Sequence, residues 1–324
     1  VTTTTPPAVE VVGLRREFTV GRGSAARTLT ALDGLSLTIT PGTVHGLLGP
    51  NGAGKSTLCK ILSTTLLPTS GTARVLGFGV TDQPREIRRR IGLVLGGDRG
   101  LYGRLTSRQN LELWGALHGL HGRELRTRIA DLLDRVGLTD RADERVGGFS
   151  RGMKQRLHLA RGLVGDARVL LLDEPTTGMD PVAADDFRDF VRALRAEGRT
   201  VLITTHDMAQ AEAVCDEVTL IDHGRVLTTG DPRDLTRRLL GGQRVEAGAV
   251  SPRLAAEIEA LPEVTVVHPA RGGHLRVDTA SAEATRLVLA LLVDAGVSSV
   301  RTGPPGLEEL YLRVVGGRKM RVSA

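Results

Sequence analysis

Short continuous apolar runs alternate with stretches of helical period along the first 240 residues of this chain. The runs at 44–48, 169–172, 200–204 and 218–221 carry almost no polar interruption, the pattern of strands buried on both faces. Further strands are predicted at 9–20, 35–39 and 91–95. From 101 to 146 the period lengthens: Leu111, Leu113, Trp114 and Leu117, then Ile129, Leu132, Leu133 and Val136, trace helix faces. The reading is an α/β fold over 9–237, a sheet flanked by helices, interrupted by a helical insertion at about 101–155. Residues 1–8 read as a disordered, low-complexity tail. Past Gly241 and Gly242 the style changes, and 242–324 forms a separate α+β module. Its runs at 245–250, 252–261, 264–267, 275–277, 282–293 and 298–301 order as β-α-β-β-α-β, which suggests a small ferredoxin-like module with a last helix at 307–315.

Composition narrows the class. At 324 residues the chain suits one large domain and one smaller. No run of 18 apolar residues occurs, and 287–293, flanked by Arg286 and Asp294, reads as a core helix. The first eight residues are polar and proline-bearing, so no signal peptide is expected. Cys59 and Cys215 lack paired spacing and are expected to be buried, reduced thiols of a cytosolic protein. The net charge is +6, with arginine clusters at 88–90, 237–238 and 318–321. They read first as solvated surface and, alternatively, as attraction to an anionic membrane face. Aromatics make up 2% of residues and interleave none of the clusters, so no nucleic acid partner is expected.

The chemistry concentrates behind the strand at 44–48. Gly49, Pro50, Asn51, Gly52, Ala53, Gly54, Lys55, Ser56 and Thr57 spell a complete phosphate-binding loop. Its glycines let backbone N–H groups close around phosphates, and the helix that follows adds its positive end. Lys55 suits the β and γ phosphates and the Ser56 hydroxyl suits Mg²⁺, so the chain is predicted to bind ATP or a related triphosphate. A loose G-x-G-x-x-A at 21–26 precedes no helix and is rejected as a dinucleotide fingerprint. The strand at 169–172 delivers Asp173 and Glu174 at its carboxyl end, where α/β sheets bind ligands. Asp173 is the second candidate Mg²⁺ ligand and Glu174 the candidate base for the attacking water. His206, after the next strand, can face the same phosphate.

The segment Phe149, Ser150, Arg151, Gly152, Met153, Lys154, Gln155, Arg156 resembles the signature of ATP-binding-cassette (ABC) ATPases. With the phosphate loop, Asp173–Glu174, a D-loop at Gly178-Met179-Asp180-Pro181 and the switch His206, the resemblance covers about 9–237. It implies a P-loop NTPase cassette with a helical signature subdomain, working as a head-to-tail dimer with a second copy of itself. In that dimer Ser150, Arg151, Gly152 and Met153 act in trans, and Asp180 belongs to the D-loop. Phe18 matches the place of an aromatic that stacks on adenine. The Ser-x-Gly-Met form is similar to ABC-2-type drug and antibiotic exporters of the daunorubicin-resistance kind. That resemblance implies a peripheral ATPase at the cytoplasmic face of the membrane, driving efflux through a separate multi-span permease. A soluble cassette acting on ribosomes or DNA is the alternative, though one cassette without sustained heptads argues against it. Gly96 stands where the family usually has a glutamine at Mg²⁺ and water. The stretch 101–106 resembles the surface that receives the permease, and 307–312 resembles a terminal helix beside a module that braces the dimer.

Overall fold

The structure is a computed structural model describing residues 6–21, 27–95, 100–177, 179–240, 243–270, 274–303 and 306–315. The segment at 96–99, Gly178, the 22–26 part of the loose glycine motif, residues 1–5, Gly241, Gly242 and the 318–321 cluster lie outside the described residues. The chain divides into two compact units between Thr229 and Gly230.

The first unit runs β1 (Val9–Val20), β2 (Arg27–Ile39), β3 (Val44–Leu48), α1 (Lys55–Leu62), β4 (Ser70–Val75), β5 (Phe78–Gly79), α2 (Pro84–Arg88) and β6 (Ile91–Val94). It continues through α3 (Ser107–Leu117), α4 (Gly122–Arg135), α5 (Arg151–Leu163), β7 (Val169–Asp173), α6 (Pro181–Ala196), β8 (Thr200–Thr205), α7 (Met208–Val214), β9 (Glu217–Asp222) and β10 (Arg225–Gly230). One sheet has the order β2-β1-β4-β5 and is antiparallel. The other has the order β10-β9-β3-β8-β7-β6, with β9 through β6 parallel. Every residue of β3, β7 and β8 is buried, which explains their unbroken apolar runs. The jumps in strand order beside β3 bring the carboxyl ends of β3, β7 and β8 together, the crevice where such sheets bind ligands. Ala8, expected in a disordered tail, is instead buried, with its N–H donating to Ile39 O at 2.9 Å. The strand expected at 35–39 extends back to Arg27. Its first residues are exposed and lack the apolar signal, but they pair with the end of β1.

Helix α3 starts from a capping box, Thr106 accepting from Gln109 N while the Gln109 side chain accepts from Thr106 N. Helix α5 packs on β6 at unusually close range. A Cβ on Gly92 would stand 2.1 Å from the Gly162 carbonyl oxygen, so the backbones touch where both residues lack side chains. Arg161 secures the same crossing: Nη2 donates to Leu93 O at 2.8 Å, and the guanidinium lies 5.0 Å from the Trp114 ring centre. Trp114 Nε1 in turn donates to Gly100 O at 3.0 Å. Burial pulls Arg161 down to about 10, so it stays protonated at neutral pH. Gly92→Ala is expected to destabilise the protein by about 1–3 kcal/mol, because the carbonyl has no room to yield without moving α5. Denaturant unfolding would show a lowered midpoint, and an unchanged midpoint would contradict the close contact.

The second unit contains α8 (Pro232–Leu240), β11 (Gln243–Ala247), α9 (Pro252–Glu259), β12 (Val264–Ala270), β13 (His274–Thr279), α10 (Ala282–Asp294), β14 (Val300–Gly303) and α11 (Leu307–Val315). Its strands order β12-β13-β11-β14, all antiparallel, the split β-α-β arrangement of ferredoxin-like modules. Val245, Ile258, Val277, Val288 and Leu292 form its core. Helix α8 packs against α11 of this unit, so the boundary lies before α8 and not after Arg237 as the composition suggested. The last helix is anchored by Leu307 and Leu310, both fully buried. An ion network ties it to the sheet. Arg244 and Asp278 face each other in the β11–β13 register and form a bidentate pair at 2.8 and 2.9 Å, while Arg244 also meets Glu309. Burial alone would lower the Arg244 guanidinium, but hydrogen bonds to Asp278 and Glu309 outweigh it and hold it above its ordinary value.

Candidate active site

Strand β3 ends at Leu48 and the chain turns through 49–54 into α1. Gly54, the residue before the helix, has φ 108°, and a Cβ there would stand 2.6 Å from Ala31 O. Only glycine tolerates both the left-handed backbone and that approach to β2. No side chain caps α1 and its first turn carries no acidic residue, so its N-terminal N–H groups and positive dipole end face outward. Ala53 is buried beneath the loop and its carbonyl accepts from Gly224 N, tying the turn to the β9–β10 hairpin.

Lys55 is only 5% exposed. Its ammonium donates to Gly49 O at 2.7 Å and Pro50 O at 3.1 Å and lies 3.4 Å from Glu174 Oε1. Ser56 Oγ donates to Asp173 Oδ1 at 3.0 Å, and Thr204 Oγ1 donates to the same oxygen at 2.6 Å. Thus the two candidate Mg²⁺ ligands are adjacent, and both are hard oxygen donors of the kind Mg²⁺ takes. Among the described residues no group of three or more His, Cys, Asp or Glu could hold a metal by itself. The donor set therefore suits an ion completed by phosphate oxygens and water.

Glu174 adopts φ 50°, a left-handed conformation costly for any residue but glycine. Its N–H holds the turn by donating to Thr204 O at 3.1 Å and to Thr204 Oγ1 at 3.0 Å. The turn aims the carboxylate back into the cleft. Glu174 Oε2 accepts from His206 Nδ1 at 2.8 Å and from Thr177 Oγ1 at 3.2 Å.

These groups line one cleft of about 550 Å³. Phe18, Pro50, Asn51, Gly52, Gly54, Lys55, Ser56, Thr57, Glu174 and His206 all contribute to its wall. Gly49, Ala53 and Asp173 sit behind that wall and act through the contacts above. Phe18 pairs across the strands with Leu29, an exposed residue that also lines the cleft, and Arg16 lies 4.4 Å from the Phe18 ring centre. The apolar pair makes one end of the cleft a platform for a flat ring.

The signature residues separate. Arg151, grouped by sequence with the residues acting in trans, lines this chain's own cleft, as do Lys154, Gln155 and His158. Ser150 is exposed and caps α5, its Oγ accepting from Met153 N at 3.2 Å. Gly152 opens instead onto a second cavity of about 420 Å³ with Met179 and Ala183. Met153 is half-buried against the core. Asp180 caps α6, with Oδ1 accepting from Ala183 N at 2.9 Å. Gly96 lies outside the described residues. Cys59 is buried and Cys215 half-buried, both free thiols, and burial drives Cys59 well up and Cys215 to about 12. In the 88–90 cluster, Arg90 pairs with Glu86 at 2.6 Å and Arg88 donates to Thr64 Oγ1 at 2.9 Å, which favours the surface reading. Among the described residues no helix is long and apolar enough to cross a membrane.

Thr204, Leu29 and Gln155 are among the site residues that sequence reasoning missed. Thr204 carried a signal, a hydroxyl two residues before His206 on a strand parallel to the one bearing Asp173. The other two had none.

A family model described as "ABC transporter" matches residues 32–177. The chain is 42% identical over 311 residues to the daunorubicin resistance ATP-binding protein DrrA2 of Streptomyces coeruleorubidus, covering 91% of this chain and 93% of that protein. It is 37% identical to the Nod factor export ATP-binding protein I of Rhizobium sp. (strain N33), covering 95% and 97%. Among solved structures, the dimeric post-hydrolysis state of the ATP-binding cassette MJ0796 bound to ADP and Pi aligns with TM-score 0.63 at 26% identity, covering 69% of this chain and 98% of that one.

Proposed function

This chain belongs to the ABC transporter family as an ATP-hydrolysing exporter subunit, and from that membership we propose that it drives efflux of a small, drug- or antibiotic-like molecule through a separate multi-span permease. It works at the cytoplasmic face of the membrane as a peripheral subunit. The observation that carries this reading is the convergence of Lys55, the Ser56–Asp173 pair and the Glu174–His206 pair on one cleft.

Phosphoryl transfer to water requires positioning and charge neutralisation more than covalent help. Lys55 supplies a fixed cation to the β and γ phosphates, and the N-terminus of α1 adds backbone donors. Phe18 and Leu29 take the adenine ring. Ser56 and Asp173 would hold Mg²⁺, which would supply neutralisation of charge on the phosphate oxygens. Glu174 accepts the proton of the attacking water, and His206 orients that carboxylate while facing the γ-phosphate.

A second copy completes the site. The Ser150 oxygen is occupied as an acceptor by its own helix, leaving the hydroxyl proton to donate to a phosphate on the opposite protomer. Gly152 permits the close approach that this contact needs, with Met153 and the Asp180 turn beside it. ATP binding closes the pair and hydrolysis reopens it, moving the permeases between access states. The second unit braces the dimer.

Affinity purification of the tagged chain from native-host membranes with ATP tests the assignment. A multi-span membrane protein is expected to co-purify in stoichiometric amount. Ribosomal or DNA-bound material without a membrane protein would overturn it.

A further inference from the structure

On the face of α5 that lines the nucleotide cleft, Lys154, Gln155 and His158 have no part in the roles assigned above. Arg151, Lys154, Gln155 and His158 follow helical spacing, so all four share that face. Gln155 stands apart. It is 9% exposed, yet its Nε2 has no acceptor. A buried amide donor left unpaired is costly, and each such group in a native fold calls for an explanation.

Two observations tie the first turns of α5 to the segment that follows Glu174 and Thr177, and so favour the catalytic end of the cleft for Gln155 over the Phe18–Leu29 platform. The first turns of α5 lie against α6, through an Arg156–Asp186 pair at 2.6 Å and the approach of Gly152 to Ala183. Helix α6 begins just beyond the segment carrying Glu174 and Thr177. The far end of α5 is meanwhile pinned by the Gly92–Gly162 contact and by Arg161 on Leu93 O. These contacts hold α5 in place, so the acceptors within reach of the amide are those that a molecule in the cleft would bring. Phosphate oxygens are such acceptors.

We propose that Gln155 is a catalytic residue of the hydrolysis reaction, its Nε2 donating in cis to the terminal phosphate of ATP held by Lys55. A turn of the Gln155 side chain brings the amide through the cleft wall, and Arg151 and Lys154 add positive field on the same side. The inference rests on the reading of this cleft as the ATP site.

ATP and ADP titrations test it, on the full chain carrying Glu174→Gln so that ATP is not consumed. Gln155→Met removes the donor and nearly keeps the shape, and Gln155→Glu sets a negative charge against the phosphate. Gln155→Met is expected to raise the ATP Kd about tenfold, the value of one charge-assisted hydrogen bond, while leaving the ADP Kd unchanged. Gln155→Glu is expected to raise the ATP Kd further. Because Gln155→Met deletes an unpaired buried donor, its melting temperature without nucleotide should not fall. A Kd ratio of ATP to ADP equal to that of the parent in both variants would overturn the inference and leave Gln155 a wall residue. Failure of the parent to bind either nucleotide would overturn the site reading, and the inference with it.

Discussion

Glu174→Gln is expected to slow ATP hydrolysis by about 10²–10⁴-fold, the range for loss of a positioned general base, while ATP binding survives. The amide keeps the size of the carboxylate and can still hydrogen-bond with Thr177 and His206, whose contacts fix the side chain at 3.2 and 2.8 Å. What it loses is the capacity to take a proton. It also loses the negative charge 3.4 Å from Lys55 Nζ. In the parent that carboxylate competes with phosphate for the ammonium, so the variant should bind ATP at least as tightly. Phosphate-release assays and nucleotide titration separate the two effects. Hydrolysis within threefold of the parent would move the base role away from Glu174.

The largest effect on stability is expected in the second unit. Arg244 is 8% exposed and satisfies Asp278 and Glu309 together. Arg244→Met keeps much of the stem but strands two carboxylates that are themselves mostly covered. Removing one partner of a buried ion pair costs about 3–5 kcal/mol. Unfolding of the 230–324 unit should therefore shift to lower denaturant, followed by the circular dichroism of its sheet and helices. The same variant probes the bracing role. ATP-dependent dimerisation, measured by sedimentation on the Glu174→Gln background, should weaken while ATP affinity of the monomer holds. Full dimerisation despite an unfolded second unit would end the bracing reading.

Local chemistry was legible in the sequence, and contacts between distant segments were not. The phosphate loop and the Asp173–Glu174 strand end announce themselves because each is a short pattern whose neighbours in sequence are its neighbours in space, whereas the part of the lone His206 came with the family resemblance. The strands of the buried sheet were equally plain, since covering both faces of a parallel strand leaves an unbroken apolar run. The second unit's order was readable for a similar reason, and the antiparallel pairing of β11 with both β13 and β14 follows that order. By contrast, Leu29 enters the cleft only through its register opposite Phe18, a cross-strand pairing that no local pattern reports. The α5 wall depends on Gly92 meeting Gly162, seventy residues later, and no periodicity reports such a contact. Within the signature, the adjacent residues Arg151 and Gly152 line different cavities, a division the linear motif does not report. The boundary before α8 was hidden because an amphipathic helix looks the same whichever unit covers it.

The touching backbones of Gly92 and Gly162 also bear on how this protein can be recombined. Helix α5 and strand β6 fit closely because Gly92 offers no side chain to the Gly162 carbonyl and Gly162 offers none to Val94. A chimaera exchanging residues 101–155 for a cousin's keeps both glycines and inherits the fit. One that takes α5 from a donor with alanine at the second position sets a methyl group near Val94, where a Cβ would meet Cγ2 at 3.1 Å. The natural unit of exchange is thus the insertion up to the start of α5, and the seam belongs before the second glycine, not after it.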